Sequence, residues 1–137
     1  MDQIKPVLEG ITVLADDVDQ LAAFYRHALG MTIVVEEQNY VAFGGEGIRF
    51  AIFSRAQMGP NTHDHAAYRT AYTGQAFELN FQCTDAGAVS ERFEHLIRNG
   101  AQPIAVPTAK AWGHFTGFFA DPEGNIHSLF AELPRER

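Results

Sequence analysis

Residues 17–30 read Asp17-Val18-Asp19-Gln20-Leu21-Ala22-Ala23-Phe24-Tyr25-Arg26-His27-Ala28-Leu29-Gly30, and residues 85–100 read Asp85-Ala86-Gly87-Ala88-Val89-Ser90-Glu91-Arg92-Phe93-Glu94-His95-Leu96-Ile97-Arg98-Asn99-Gly100. In the first stretch Leu21, Phe24, Tyr25, Ala28 and Leu29 recur at i, i+3, i+4, i+7 and i+8, one face of a helix. Asp17 followed by Gln20 has the spacing of a capping box, and Gly30 stands where a left-handed residue ends a helix. The second stretch repeats the design. Val89, Phe93, Leu96 and Ile97 form its apolar stripe, Glu91, Arg92, Glu94 and Arg98 fall mostly off it, and Gly100 closes it. The two aspartates, like the two glycines, lie about 70 residues apart, the signature of an internal repeat.

Outside the helices the apolar period shortens to that of strands. Val7–Leu14 precedes the first helix, and Met31–Glu37, Asn39–Gly44 and Ile48–Ser54 follow it. Phe77–Cys83 precedes the second, and Gln102–Pro107, Gly113–Ala120 and Asn125–Leu133 follow. Asp121-Pro122-Glu123-Gly124 supplies a tight turn between the last two. The order is β-α-β-β-β, twice. Module one spans about residues 7–54, a surface connection 55–75, and module two about 77–133. Neither half carries enough apolar surface to fold well alone, so the halves are expected to pack as one α+β domain.

Composition narrows the function classes. The 137 residues are 46% hydrophobic and 20% charged, ordinary for a soluble globular domain. A net charge of −7 repels phosphate backbones, so nucleic acid is not an expected partner. No apolar run approaches the ~20 residues that cross a bilayer, so a soluble, cytoplasmic protein without a membrane partner is expected. The single cysteine, Cys83, excludes an internal disulfide and a thiolate metal cluster. No GxSxG, P-loop or GxGxxG string is present, which leaves serine hydrolysis and phosphate cradling without support.

The doubled βαβββ order resembles the vicinal oxygen chelate superfamily, which groups glyoxalases, extradiol dioxygenases, fosfomycin-resistance enzymes and bleomycin-binding proteins. Leu21–Met31 is similar to that family's first helix with its "FY…LG" ending. Phe118-Phe119-Ala120-Asp121-Pro122-Glu123-Gly124-Asn125-Ile126-His127 is similar to its "FxDPDGN" hairpin, and Pro107-Thr108 with Trp112-Gly113 to a loop of glyoxalase-like members. The resemblance runs from about Val7 to Leu133. It implies tandem modules whose curved mixed sheets enclose a cleft, with the helices outside. It also implies a homodimer.

Metal-dependent members place a His or Glu on the first strand of each module and a Glu on the last. Registered on Phe24-Tyr25 and on Asp121–Asn125, those positions hold Gly10, Ser128 and, near Ala51, no ligand, so only Glu78 remains. One carboxylate does not hold a catalytic divalent ion, for which three protein ligands are usual. The expectation is therefore no metal and no cofactor, the alternative being a divalent ion in a rearranged site. His63-Asp64-His65 is the one close histidine cluster and reads as a solvated loop. The cleft is expected to offer Thr12, Glu78, Asn80, Trp112, His114, Phe118, Ser128 and Phe130 to a ligand. Trp112 stacks on a planar ligand or lids the core edge, and Glu78, Asn80 and Gln82 form either a ligand row or a wet face. Two functions follow. One is metal-free binding of a planar or cationic small molecule, as in bleomycin resistance. The other is a glyoxalase-like or dioxygenase-type enzyme, with Glu78 and His114 as candidate catalytic residues in a rearranged metal site, with or without His63 or His65, or in metal-free acid–base chemistry.

Overall fold

The computed structural model describes residues 8–71, 74–75 and 77–135. Module one comprises β1 (Gly10–Ala15), α1 (Val18–His27), β2 (Thr32–Glu37), β3 (Tyr40–Gly44) and β4 (Arg49–Ser54). Module two comprises β5 (Asn80–Gln82), α3 (Ala86–Arg98), β6 (Gln102–Ala109), β7 (His114–Ala120) and β8 (Ile126–Glu132). Each module folds into a four-stranded mixed sheet, in the orders β1-β4-β3-β2 and β5-β8-β7-β6. The first strand pairs parallel with the last, and the rest pair antiparallel. The α+β class and the repeat stand as the sequence implied.

The helices begin where their aspartates place them. Asp17 Oδ1 accepts from the Gln20 amide at 3.0 Å, and Asp85 Oδ1 from the Ala88 amide at 2.8 Å. Gly30 and Gly100 follow at φ +71° and +105°, backbone that costs a side chain dearly and glycine little. The two stripes bury Leu21, Phe24, Tyr25 and Ala28 on α1 and Val89, Phe93 and Leu96 on α3.

One core serves both modules. Phe24 lies 6.4 Å from Phe119 of β7, while Tyr25 packs against Phe43 and Phe50 of its own module and His127 of the other. Arg92 of α3 donates to the Ala28 carbonyl at 3.1 Å, and the His95 ring meets the His27 carbonyl at 3.0 Å. His95 is therefore a helix–helix contact.

One expectation needs correction. The strand expected over Phe77–Cys83 spans only Asn80–Gln82, and Phe77, ahead of it, is 61% exposed. Without ladder partners at 77–78, nothing turns that ring toward the core. The connection 55–75 has local structure of its own. It carries a short helix, α2 (Met58–Asn61), and a 3-10 turn at Ala66–Tyr68, capped by the His65 ring accepting from the Ala67 amide. Such single turns lack the length to show a helical period.

Candidate functional site

Strand alternation gives each sheet a face turned from the helices. In module two the register sets Asn80 beside Ser128, Phe118 beside Ser128, and Thr116 beside Phe130. Five expected site residues thus share one surface: Asn80, His114, Phe118, Ser128 and Phe130. The Ser128 hydroxyl donates to Asn80 Oδ1 at 2.6 Å, and the His114 ring stacks on Phe130 at 4.8 Å and 16°. Between them Thr116 is buried, and its hydroxyl has no hydrogen-bond partner among the described residues. A buried hydroxyl left unpaired costs about 1–3 kcal/mol, so this face holds an unused polar handle.

The remaining three residues stand apart. Trp112 is 63% exposed at the tip of the β6–β7 hairpin. Thr12 lies on module one, where it lines two hollows. Glu78 precedes β5 beside Ile126, whereas His114 pairs with Glu132 at the other end of β8. Six residues of strand separate them, about 20 Å at ~3.3 Å per residue. Within one chain Glu78 and His114 do not reach a common atom, so the acid–base pairing of these two is not formed. His63 and His65 are exposed, and among the described residues no group of three or more His, Cys, Asp or Glu is placed to hold a metal ion.

The expected donor positions are occupied in another way. On β3 and β4 the register gives Ala42 opposite Ala51 and Tyr40 opposite Phe53, while Gly10 of β1 lies beside Arg49. The small residues Ala42 and Ala51 are buried, and two long side chains meet on this same face. Arg49 Nη1 donates to the Tyr40 hydroxyl at 3.0 Å, and Arg49 Nε donates to the Glu9 carboxylate at 2.8 Å. A Cβ on Gly10 would stand 2.8 Å from Arg49 Nη2, so a ligand side chain there is excluded. With a guanidinium over Gly10 and a methyl at Ala51, module one does not suit a divalent cation.

The buried polar chemistry lies on the helix side. The Tyr25 hydroxyl donates to Asp121 Oδ2 at 2.7 Å and lies 2.8 Å from His127 Nε2. His127 Nδ1 accepts from the Leu79 amide at 3.1 Å, which leaves the ring proton on Nε2, aimed at the Tyr25 oxygen. All three side chains are at most 2% exposed. Burial, reinforced by the Asp121 charge and hydrogen bond, holds the Tyr25 phenol well above its ordinary range. Burial also pushes the Asp121 carboxyl up, but hydrogen bonds from His127, Asn125 and Tyr25 outweigh it and hold that carboxyl low. Two residues on, Glu123 accepts from the Asp16 and Asp17 amides at 2.9 and 3.2 Å, so the module-two turn caps the module-one helix. Tyr25 and Asp121 are sealed in the core, while His127, Asn125 and Glu123 also line a hollow at the seam with Thr12 and Leu14.

The fold defines a two-module βαβββ protein whose outer face in module two is aromatic and polar. The chain belongs to the Glyoxalase/Bleomycin resistance protein/Dioxygenase superfamily, whose model matches residues 7–128. No curated protein matches it. Solved structures share the fold at low identity. A glyoxalase/bleomycin resistance protein/dioxygenase from Nocardioides is 18% identical, covering 99% of this chain and 89% of its own, with a TM-score of 0.82. A family enzyme from Burkholderia phytofirmans PsJN is 19% identical over 92% and 98% of the two chains, at 0.83. A lactoylglutathione lyase from Agrobacterium tumefaciens is 20% identical over 93% and 95%, at 0.71.

Proposed function

We propose that this protein binds a planar small molecule on the outer faces of its two sheets, and that it does so without the metal ion of its metal-dependent relatives. One observation carries the reading. Of the four positions that the family resemblance registers on metal ligands, only Glu78 can bind an ion; the others hold Gly10 beneath the Arg49 guanidinium, a site near the methyl of Ala51 and a Ser128 hydroxyl already donated to Asn80. The His114–Phe130 stack and Phe118 beside the Ser128–Asn80 pair suit a flat ligand with one or two polar edges. No step of this reading passes through a metal.

Metal analysis of protein purified without chelators tests it. The expected content is far below one divalent ion per chain after dialysis, and a stoichiometric ion that survives dialysis overturns the proposal. Assembly into a homodimer belongs to the same reading. It is supported by exposed apolar side chains such as Ile104 and Val106, and light scattering is expected to return twice the chain mass.

A further inference from the structure

The connection between the modules folds back over the outer face of module one and makes a hollow there. Met58 of α2 and Tyr68 of the 3-10 turn stand over Leu14, Tyr40 and Phe53, with Thr12 at the side, around a cavity of about 460 Å3. The Tyr40 and Phe53 rings meet edge to face, 6.3 Å between centroids. Cavities of ~300–1,000 Å3 lined mainly by apolar and aromatic groups are the usual size and character of small-molecule sites. Among the described residues no carboxylate lines this one.

At its edge the Tyr40 hydroxyl accepts from Arg49, whose side chain is 39% exposed. Two of the guanidinium's three nitrogens are committed, Nε to Glu9 and Nη1 to Tyr40. Among the described residues nothing accepts from Nη2, which lies over Gly10. Nη2 carries two N–H donors in the fixed plane that suits an oxyanion. Gly10, Ala42 and Ala51 are the small residues of this face that flank the Tyr40–Arg49 bridge.

We infer that this hollow is the specificity subsite for the ring of a planar aromatic acid, with Arg49 Nη2 holding its carboxylate. Of the planar and cationic ligands that the composition admits, this geometry selects a planar one of the opposite sign. The Arg49 guanidinium, tied to the lining Tyr40 hydroxyl, attracts an anion and repels a cation, and charge-assisted N–H···O bonds are roughly twice as strong as neutral ones. The assignment deepens the binding reading above and shares Thr12 with it.

Three probes of one shape test it on the intact protein: 2-naphthoate, neutral 2-naphthamide and the 2-naphthyltrimethylammonium cation, followed by naphthyl fluorescence at low salt. Naphthoate is expected to bind about tenfold or more tighter than the cation, about 1.4 kcal/mol or more. Arg49→Gln is expected to bring naphthoate close to naphthamide. Met58→Ala and Tyr68→Ala, both outside the core, are expected to weaken all three probes together. Glu9→Gln removes the neighbouring carboxylate and is expected to tighten naphthoate alone. Tighter binding of the cation, an unchanged naphthoate preference in Arg49→Gln, or no binding of any probe at millimolar concentration overturns the assignment. A divalent ion in the metal analysis alongside an intact naphthoate preference removes the metal-free reading and keeps the subsite. No preference in metal-free protein does the reverse.

Discussion

Replacing Tyr25 by Phe removes one oxygen from the seam between the modules and nothing else. That oxygen is fully buried, donates to the Asp121 carboxylate at 2.7 Å and takes the His127 Nε2 proton at 2.8 Å. Losing a hydrogen bond to a charged group costs about 1.5–3 kcal/mol, and a stranded buried donor adds about 1–3. His127 Nε2 keeps a weak alternative, Asp121 Oδ2 at 3.5 Å, and Asp121 keeps Asn125 and the Glu123 amide. A total of about 2–4 kcal/mol follows, a large share of the 5–15 kcal/mol typical of a domain. Urea unfolding measures it as a lower midpoint at unchanged slope. Tyr40→Phe, at a half-exposed hydroxyl, is the control and is expected to cost under about 1 kcal/mol.

The penalty also depends on pH. The native Asp121 carboxyl is held below its ordinary value, so its contribution is present above the unfolded value near 3.9 and is lost as pH falls through the native one. Tyr25→Phe narrows that gap. Its cost is therefore largest at neutral pH and shrinks below about pH 4. A cost under about 0.5 kcal/mol at pH 7, or one that grows on acidification, refutes the account of a charged, hydrogen-bonded seam.

Three further substitutions probe other parts of the molecule. Glu123→Ala uncaps two amides at the start of α1 and is expected to cost about 1–2 kcal/mol by thermal or urea unfolding, since the module-two turn is their acceptor. Gly117→Ala brings a Cβ within 2.8 Å of Pro107 and 3.2 Å of Phe93, and overpacking is expected to cost about 1–3 kcal/mol in the same assay. Thr116→Val exchanges an unpartnered buried hydroxyl for a methyl and is expected to be neutral or to stabilise by up to about 1 kcal/mol, and a clear loss means that hydroxyl is satisfied.

What the sequence disclosed follows from the range of each interaction. Both helices were readable because stripe, aspartate cap and terminal glycine lie within fifteen residues of one another and agree. The Asp121–Asn125 turn was readable for the same reason, and alternation along β7 and β8 placed Ser128, Phe130 and Phe118 on a shared face. The buried partners of His127 were not foreseeable, since Tyr25 lies 102 residues away. Arg49 was passed over as one polar residue in an apolar strand. The signal was the run of small residues Gly10, Ala42 and Ala51, but these become neighbours only once the strand register is known. Register likewise parted Glu78 from His114, because neither residue states which end of β8 it will meet.

The cap that Glu123 and Asp121 place on module one has a temporal side. Tyr25 must wait 96 residues for Asp121, and the Asp17 amide 106 residues for Glu123. At ~5–20 residues per second of synthesis, the wait for Asp121 is about 5–20 s. During that interval the first helix has its own aspartate cap but neither of its distant acceptors, and its phenol faces no carboxylate. The nascent first half is thus a primed but unlatched intermediate, and the turn made late in synthesis is the catch that closes it.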